Sequence, residues 1–150
     1  MSVDGRSGAA SGGDQPQLPT PAPAVSPEAE PYWAATAEGR LVLPRCAACE
    51  TIIWYPKGIC TACGSLDIGW VDASGEGEVY TFTISRRGEG AYREAGPFVL
   101  AYVELDEGPR VMTNIVGCSR EAVRIGQRVR AVFDDTGEGS ALVRFAPVEQ

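Results

Sequence analysis

Cys46-Ala47-Ala48-Cys49 and Cys60-Thr61-Ala62-Cys63 are two CxxC pairs, and residues 50–59 separate them. A gap of two residues lets both thiolates of a pair turn onto one ion, at metal–sulfur distances of about 2.3 Å for zinc. Two such pairs complete a tetrahedral shell of four sulfur ligands, which leaves no open position for water or substrate. The pattern therefore predicts a structural metal site formed by Cys46, Cys49, Cys60 and Cys63.

Two other structures are compatible with four cysteines at this spacing. Two disulfides would require an oxidising compartment, but the chain begins Met1-Ser2-Val3-Asp4 without a basic segment followed by an apolar one, which favours a cytoplasmic location. A thioredoxin-like redox pair needs a single CxxC at the start of a helix. Sulfur-only coordination suits zinc or a single iron. We expect zinc, because no other feature suggests electron transfer, although the sequence by itself does not decide between the two metals.

Composition excludes several classes of function. The 150 residues are 44% hydrophobic, which supports one domain or a small domain with appendages. No apolar run approaches the roughly 20 residues that span a bilayer, so we expect no membrane segment. The net charge is −7, and residues 1–31 and 32–150 are each acidic, which argues against nucleic-acid binding. The chain has no histidine, so the commonest general base is missing.

The chain divides into three predicted regions. Residues 1–26 are rich in Gly, Ser, Pro and Ala and are expected to form a disordered tail or linker. Residues 27–71 are expected to hold a short helix over 31–38, with Gly39 as its C-terminal cap, and then the ribbon around the cysteines, with short strands at 41–43 and 51–54. Residues 72–150 are expected to form the second folded unit.

Residues 72–150 have the pattern of an all-β unit. Five segments are rich in β-branched and aromatic residues, and one helical turn is expected at 119–123 between the third and the fourth segment. The expected strands are 78–85, 98–105, 110–116, 128–133 and 141–145. Five strands with a helical turn at this place predict the small Greek-key barrel called the OB-fold. The predicted class is therefore mostly β, with a short N-terminal helix, a zinc ribbon and an OB-fold barrel.

Few other residues carry candidate chemistry. Arg86, Arg87 and Arg93 form a basic cluster on a loop, which could contact a ligand phosphate or remain solvated. Cys118 lacks a histidine to activate it and is interpreted as a small, buried apolar residue. The residues alone therefore indicate a binding or scaffold module rather than an enzyme.

The order of these motifs resembles a known family. Tyr32-Trp33 is followed by Gly39-Arg40-Leu41, by the two CxxC pairs, by residues 75–83 and 97–108, and by residues 125–129. This order, over about residues 28–147, resembles the bacterial and archaeal family called Domain of Unknown Function 35. The resemblance implies a rubredoxin-like zinc ribbon followed by a C-terminal OB-fold, with the four cysteines as zinc ligands.

The resemblance also implies a function. Members of this family are non-catalytic partners of thiolase-superfamily enzymes, namely thiolases, lipid-transfer-protein-like thiolases or aldolases, and 3-hydroxy-3-methylglutaryl-CoA synthase. Some are fused behind a hydratase domain that acts in sterol side-chain degradation. By this resemblance, the partner of the present chain is a thiolase-fold enzyme dimer, and acyl-CoA is met only indirectly. Whether the chain is free-standing or part of such a fusion is left open.

Aromatic residues are the expected anchors for such a partner, because they dominate desolvated interface centres. The candidates are Tyr32, Trp33, Trp54 and Tyr55, and the alternative is that these rings only pack the ribbon onto the barrel. A second function is a module that itself holds acyl-CoA at the loop of Arg86, Arg87 and Arg93. A nucleic-acid-binding ribbon is disfavoured by charge, and an independent enzyme is disfavoured because no base–nucleophile pair is present.

Overall fold

A computed structural model describes residues 15–148 of the chain. It confirms the mostly β class, with one short helix, a two-stranded ribbon and a closed five-stranded barrel. A 3-10 turn over Pro27–Ala29 leads into helix α1 (Glu30–Ala37), and further 3-10 turns lie at Gly90–Tyr92 and Arg120–Ala122. The strands are β1 (Val42–Cys46), β2 (Ile68–Asp72), β3 (Glu76–Ser85), β4 (Phe98–Leu105), β5 (Arg110–Ile115), β6 (Arg128–Asp135) and β7 (Ala141–Pro147).

Helix α1 has the predicted start and stop signals. Pro31 lies in its first turn, where a missing N–H is harmless. Gly39 follows the C-terminal cap at a φ of 73°, in the left-handed region that favours glycine. The N–H groups of Gly39 and Arg40 donate to the carbonyls of Thr36 and Ala35, at 3.0 Å each. This is the Schellman arrangement, so the end of the helix is determined by local sequence.

The ribbon strands differ from the prediction. β1 pairs antiparallel with β2, from Val42 opposite Asp72 to Cys46 opposite Ile68. The predicted strand at 51–54 is wrong, because that segment forms only one isolated bridge, between Arg45 and Ile52. Its backbone runs beside β1 only far enough to close the first CxxC turn. Pro56 follows two residues later, and a proline has no N–H group to donate to a β-ladder.

The barrel closes in the strand order β3-β4-β5-β7-β6, with β6 again beside β3. All pairs are antiparallel except β5 with β7, which meet in parallel through Ile115 and Phe145. This Greek-key order confirms the predicted OB-fold. Gly77 is required in β3, because a Cβ atom there would lie 2.4 Å from the carbonyl oxygen of Glu104.

The helix, the ribbon and the barrel share one hydrophobic core. Tyr32 from α1 and Leu41 and Leu43 from the ribbon belong to the same buried cluster as the barrel interior. The barrel contributes Val79, Val99, Ala101, Val103, Leu105, Val111, Ile115, Val123, Val129 and Phe145. The predicted boundary between residues 71 and 72 falls within β2, and the packing is continuous across it.

The predicted disordered tail does not hold for residues 15–19. Leu18 is buried against the barrel, the side chain of Gln15 bonds to backbone carbonyls, and the Pro19 carbonyl accepts a hydrogen bond from Arg144. Composition gave no sign of this, because the surface that receives Leu18 is formed by residues far along the chain. The part of the predicted tail before residue 15 lies outside the described residues.

No helix within residues 15–148 is long and apolar enough to cross a membrane.

A buried hydroxyl fixes α1 to the start of β7. Thr36 is 1% exposed, and its Oγ1 accepts the Ala141 N–H at 3.0 Å and donates to the Trp33 carbonyl at 2.6 Å. Replacing the hydroxyl by a methyl group leaves the buried Ala141 N–H without a partner.

We expect Thr36→Val to lower the free energy of unfolding by about 1–3 kcal/mol, measured by urea denaturation. Hydrogen exchange of the Ala141 amide should accelerate in the same variant. The control is Thr36→Ser, which keeps the oxygen and should leave that amide protected. Equal exchange rates in the two variants would show that the hydroxyl does not hold the helix.

Candidate metal centre and partner surface

The two CxxC turns have the same backbone construction. In the first turn, the Glu50 N–H donates to the Cys46 carbonyl at 2.9 Å, and the Cys46 N–H donates to the Thr51 carbonyl at 2.9 Å. In the second turn, the Gly64 N–H donates to the Cys60 carbonyl at 3.0 Å, and the Cys60 N–H donates to the Ser65 carbonyl at 2.9 Å. Each cysteine pair is thus held by a tight turn that faces its counterpart.

Each turn needs a left-handed residue directly after its second cysteine. Gly64 fills this position in the second turn at a φ of 79°, and Glu50 fills it in the first at a φ of 64°. A side chain in this conformation costs about 1–2 kcal/mol, whereas glycine adopts it freely. The first turn is therefore the more strained of the two, although Glu50 forms an exposed ion pair with Arg45 at 2.7 Å.

The four sulfur atoms are placed for a single ion. Cys46 Sγ lies 3.6 Å from Cys63 Sγ, Cys49 Sγ lies 3.6 Å from Cys60 Sγ, and all four lie within 4.8 Å of one another. A tetrahedron with metal–sulfur bonds of about 2.3 Å has edges of about 3.8 Å. All four thiols are free, so the disulfide alternative is not the state of the described chain. The four residue types and their spacing fit a tetrahedral zinc site.

The electrostatics of the four thiols favours a cation. The Thr51 side chain and then its backbone N–H lower the pKa of Cys49 to about 6, and the Cys49 and Ala48 N–H groups lower the pKa of Cys46. The Ser65 N–H acts in the same direction on Cys63, but the neighbouring thiols outweigh it and raise the pKa of Cys63 to about 12. Thiolates so close together repel each other, and a divalent cation at their centre removes that repulsion.

The four aromatic candidates form one cluster between α1 and the ribbon. The ring of Tyr32 contacts Trp33, Trp54 and Tyr55 edge to face, with centroids 4.9, 5.3 and 6.3 Å apart. Trp54 and Tyr55 pack in the same way at 5.3 Å. Trp33 Nε1 donates to the Tyr55 hydroxyl at 3.0 Å. The sequence placed these rings on two separate elements, and the structure brings them together.

The members of this aromatic cluster differ in exposure. Tyr32 is 4% exposed, and its burial raises the pKa of its phenol, so it belongs to the core. Tyr55 is 41% exposed, while Trp33 and Trp54 are half-buried. Tyr55 therefore has the largest exposed fraction of the four residues, whereas the Tyr32 side chain is buried inside the chain.

A cleft of about 350 Å³ runs along this aromatic cluster. Its other side is formed by the barrel, with Met112, Thr113 and Asn114 from β5 and Arg144 from β7. Sequence reasoning missed these residues, because strand alternation shows which residues share a face but not which face lies beside the ribbon.

The three arginines of the β3–β4 loop line neither the four-cysteine site nor the aromatic cleft. Arg86, Arg87 and Arg93 are exposed, and none of them takes part in a salt bridge within residues 15–148. Tyr92 of the same loop lines the aromatic cleft. Cys118 is half-buried, and burial raises the pKa of its thiol, which makes it a weak nucleophile.

The fold and the four-cysteine centre define a zinc-ribbon and OB-fold protein, and comparison with known proteins agrees. The rubredoxin-like zinc ribbon domain of ChsH2 matches residues 33–69, and the C-terminal OB-fold domain of ChsH2 matches residues 70–134. This confirms the prediction of a zinc ribbon with four cysteines positioned to bind a metal ion.

Three similar proteins are informative. A DUF35 domain-containing scaffold protein of Methanocaldococcus jannaschii is 32% identical over 116 residues, covering 73% of this chain and 82% of that one. A probable enoyl-CoA hydratase alpha subunit of Thermomonospora curvata is 37% identical over 115 residues, covering 77% of this chain. The solved structure of an Ltp2-ChsH2(DUF35) aldolase contains a chain 35% identical, with a TM-score of 0.75, covering 84% of this chain and 98% of that one.

The chain belongs to the DUF35 family, as its resemblance predicted. It spans only 36% of the length of the hydratase alpha subunit, so it corresponds to one part of that larger protein.

We expect one zinc per chain in the purified protein, measured by elemental analysis. Cys60→Ser should abolish stoichiometric zinc, because three thiolates and a weakly coordinating hydroxyl do not complete the shell. The matched control is Cys118→Ser, which lies outside the site and should keep the zinc. Iron in place of zinc, or zinc unchanged by Cys60→Ser, would contradict the assignment.

The left-handed positions give a finer test of the same site. Gly64→Ala meets no atom within 4 Å, so backbone strain is its main effect. With a cost of about 1–2 kcal/mol, zinc affinity in competition with a chelator should fall about 5–30-fold. Glu50→Gly removes the equivalent strain and should hold zinc at least as tightly as the natural chain. The opposite order would show that the two turns are not equivalent.

Proposed function

We propose that this chain is a non-catalytic accessory subunit or domain that docks a thiolase-superfamily enzyme acting on acyl-CoA, such as an aldolase of sterol side-chain degradation. The observation that carries this proposal is the 35% identical chain, matched over 98% of its length, in a structure named as an Ltp2-ChsH2(DUF35) aldolase. The archaeal relative is named a scaffold protein, which supports a role in assembly.

The chemistry of the chain supports a role without catalysis. Four cysteine ligands fill the tetrahedral shell, so the zinc would stabilise the ribbon and offer no position to substrate. The sequence has no histidine, and the thiol outside the metal centre has a raised pKa. We place the protein in the cytoplasm, because a reducing compartment keeps the four thiolates available for metal.

The accessible part of the aromatic cluster, formed by Trp33, Trp54 and Tyr55, is the proposed docking surface, and the buried Tyr32 supports these rings from the core. Tyr55 is its most exposed member, and Trp33 donates a hydrogen bond to the Tyr55 hydroxyl, so the two rings form one rigid projection. Rigid aromatic side chains lose little entropy on binding and are enriched among residues that dominate interface energy. The partner we propose is a thiolase-fold dimer that binds one copy of this chain per subunit.

We expect Tyr55→Ala to weaken binding to the thiolase-superfamily enzyme encoded beside this gene by about 2 kcal/mol, which is about 30-fold, with little change in the melting temperature of the free chain. Co-expression, co-purification and titration of the two purified proteins measure this effect. The matched control is Tyr32→Ala, whose ring is buried, and which should lower the melting temperature by several degrees.

Three outcomes would contradict the proposed function. If Tyr55→Ala destabilises the free chain as much as Tyr32→Ala does and leaves binding unchanged, the cluster is internal packing. If the natural chain fails to bind the neighbouring enzyme, the accessory role itself is wrong. Turnover of an acyl-CoA by the isolated chain, lost in Cys118→Ala, would replace that role by a catalytic one.

A second function is binding of acyl-CoA by the chain itself. The observation that favours it is the exposed β3–β4 loop, where Arg86, Arg87 and Arg93 have no salt-bridge partner within the described residues. Guanidinium groups bind phosphate oxygens through paired hydrogen bonds. Calorimetric titration of the isolated chain with CoA, compared with an Arg86→Glu and Arg87→Glu double variant, separates this function from docking. Binding of CoA that the double variant loses would support it.

A further inference from the structure

Arg144 is a buried cation whose hydrogen bonds reach the N-terminal segment. The residue is 2% exposed, and its Nη1 donates to Asp134 Oδ2 at 2.5 Å. Its Nη2 donates to the Tyr92 hydroxyl at 3.0 Å and to the Pro19 backbone carbonyl at 2.6 Å. A buried charge is costly unless it is paired and hydrogen-bonded. The Pro19 carbonyl therefore provides one of the hydrogen-bond acceptors that the buried Arg144 guanidinium requires.

Leu18 provides an apolar anchor beside this hydrogen bond. Its side chain is buried with Ala95 and Phe98, and Tyr92 and Val116 pack around them. The rings of Tyr92 and Phe98 are 5.5 Å apart and form one wall of the pocket. Burial of the leucine side chain helps to offset the loss of backbone freedom in the segment.

Gln15 provides a third anchor, on the far side of Leu18. Its side-chain Nε2 donates to the Cys118 carbonyl at 2.7 Å and to the Ile115 carbonyl at 3.1 Å. Ile115 is the last residue of β5, and Cys118 lies three residues beyond it. Residues 15–19, which we call the strap, are thus held at both ends and in the middle.

We propose that the groove between the β3–β4 loop and the end of β5 is a recognition site for an extended segment of the type Gln-x-x-Leu-Pro. In this chain the strap fills the groove in cis and thereby holds the β3–β4 loop in place. The contacts define the specificity of the groove. The first position needs a side-chain amide, the position three residues later needs a leucine, and the next residue contributes its backbone carbonyl. Gln17 between them is exposed.

The groove is separate from the metal centre and adjoins the aromatic cleft, because Arg144 and Tyr92 line that cleft and also contact the strap or each other. The strap and Arg144 both lie outside residues 33–134, the span that matches the zinc ribbon and OB-fold domains. Strap contacts also reach Tyr92 and Ala95, which belong to the loop that carries Arg86, Arg87 and Arg93. The strap therefore controls the presentation of that basic loop.

Hydrogen exchange of the full-length chain tests the cis contact. In Leu18→Asp, the Tyr92 and Ala95 amides, which bond to carbonyls within their own loop, should exchange at least tenfold faster than in the natural chain. The matched control is Gln17→Asp, which makes the same charge change at the exposed neighbouring position and should stay within twofold. Equal rates in the two variants would overturn the proposal that the strap holds the loop.

Binding in trans tests recognition itself. The probe is a fluorescent peptide with the sequence of residues 13–22, titrated against full-length Leu18→Asp, whose own strap is released. We expect saturable binding with a dissociation constant below about 0.1 mM, and at least tenfold weaker binding to the natural chain, because a tethered strap has an effective concentration in the millimolar range. A peptide carrying the Leu18→Asp change should not bind.

Failure of the natural peptide to bind the Leu18→Asp chain, while that chain keeps its zinc and its circular dichroism spectrum, would overturn the recognition site. Equal binding to the natural chain would overturn its occupation by the strap. Neither outcome depends on the enzyme partner, so this proposal stands or falls separately from the docking function.

Discussion

Four sulfur atoms have to surround one cation, and the position of the ribbon depends on that requirement. The sulfurs of two distant turns lie within 4.8 Å of one another, and little apolar burial is available to hold them there. The cluster beneath the turns consists of Cys46, Ile53 and Cys60, with Ile68 packed against it. A cluster of this size gives the two cysteine turns little apolar support, so we expect their folding to be coupled to metal binding.

The aromatic cluster connects the metal-binding ribbon to helix α1 and, through α1, to the barrel. Trp54 and Tyr55 directly follow residues 51–53, which close the first CxxC turn. The rings of Trp54 and Tyr55 pack on Tyr32 of α1. Tyr32 is also part of the barrel core, and Thr36 bonds to the start of β7. A change in the metal site would therefore be felt at the proposed docking surface.

The arginines of the barrel differ in how they are paired. Most arginines of the barrel are paired, as in the bonds from Arg128 to Asp106 at 2.8 Å and from Arg130 to Glu76 at 2.8 Å. The exposed arginines of the β3–β4 loop lack such pairs within the described residues, and Arg144 is buried with an aspartate and the strap. An acidic chain thus keeps these cationic groups in defined places.

The sequence alone determined whatever depends on neighbours along the chain. The CxxC spacing gave the metal centre, Pro31 and Gly39 gave the helix ends, and segments rich in β-branched and aromatic residues gave the barrel strands, because turns, caps and strand propensities are decided within a few residues. Tertiary structure decided the pairing of β1 with β2, the contact of Tyr32 with Trp54 and Tyr55, and the burial of Leu18 and Arg144. Composition assigns arginine to the surface and a proline-rich segment to disorder. The bond from Arg144 to the Pro19 carbonyl joins residues 125 positions apart, and no local pattern encodes a contact whose free energy exists only once the barrel has formed.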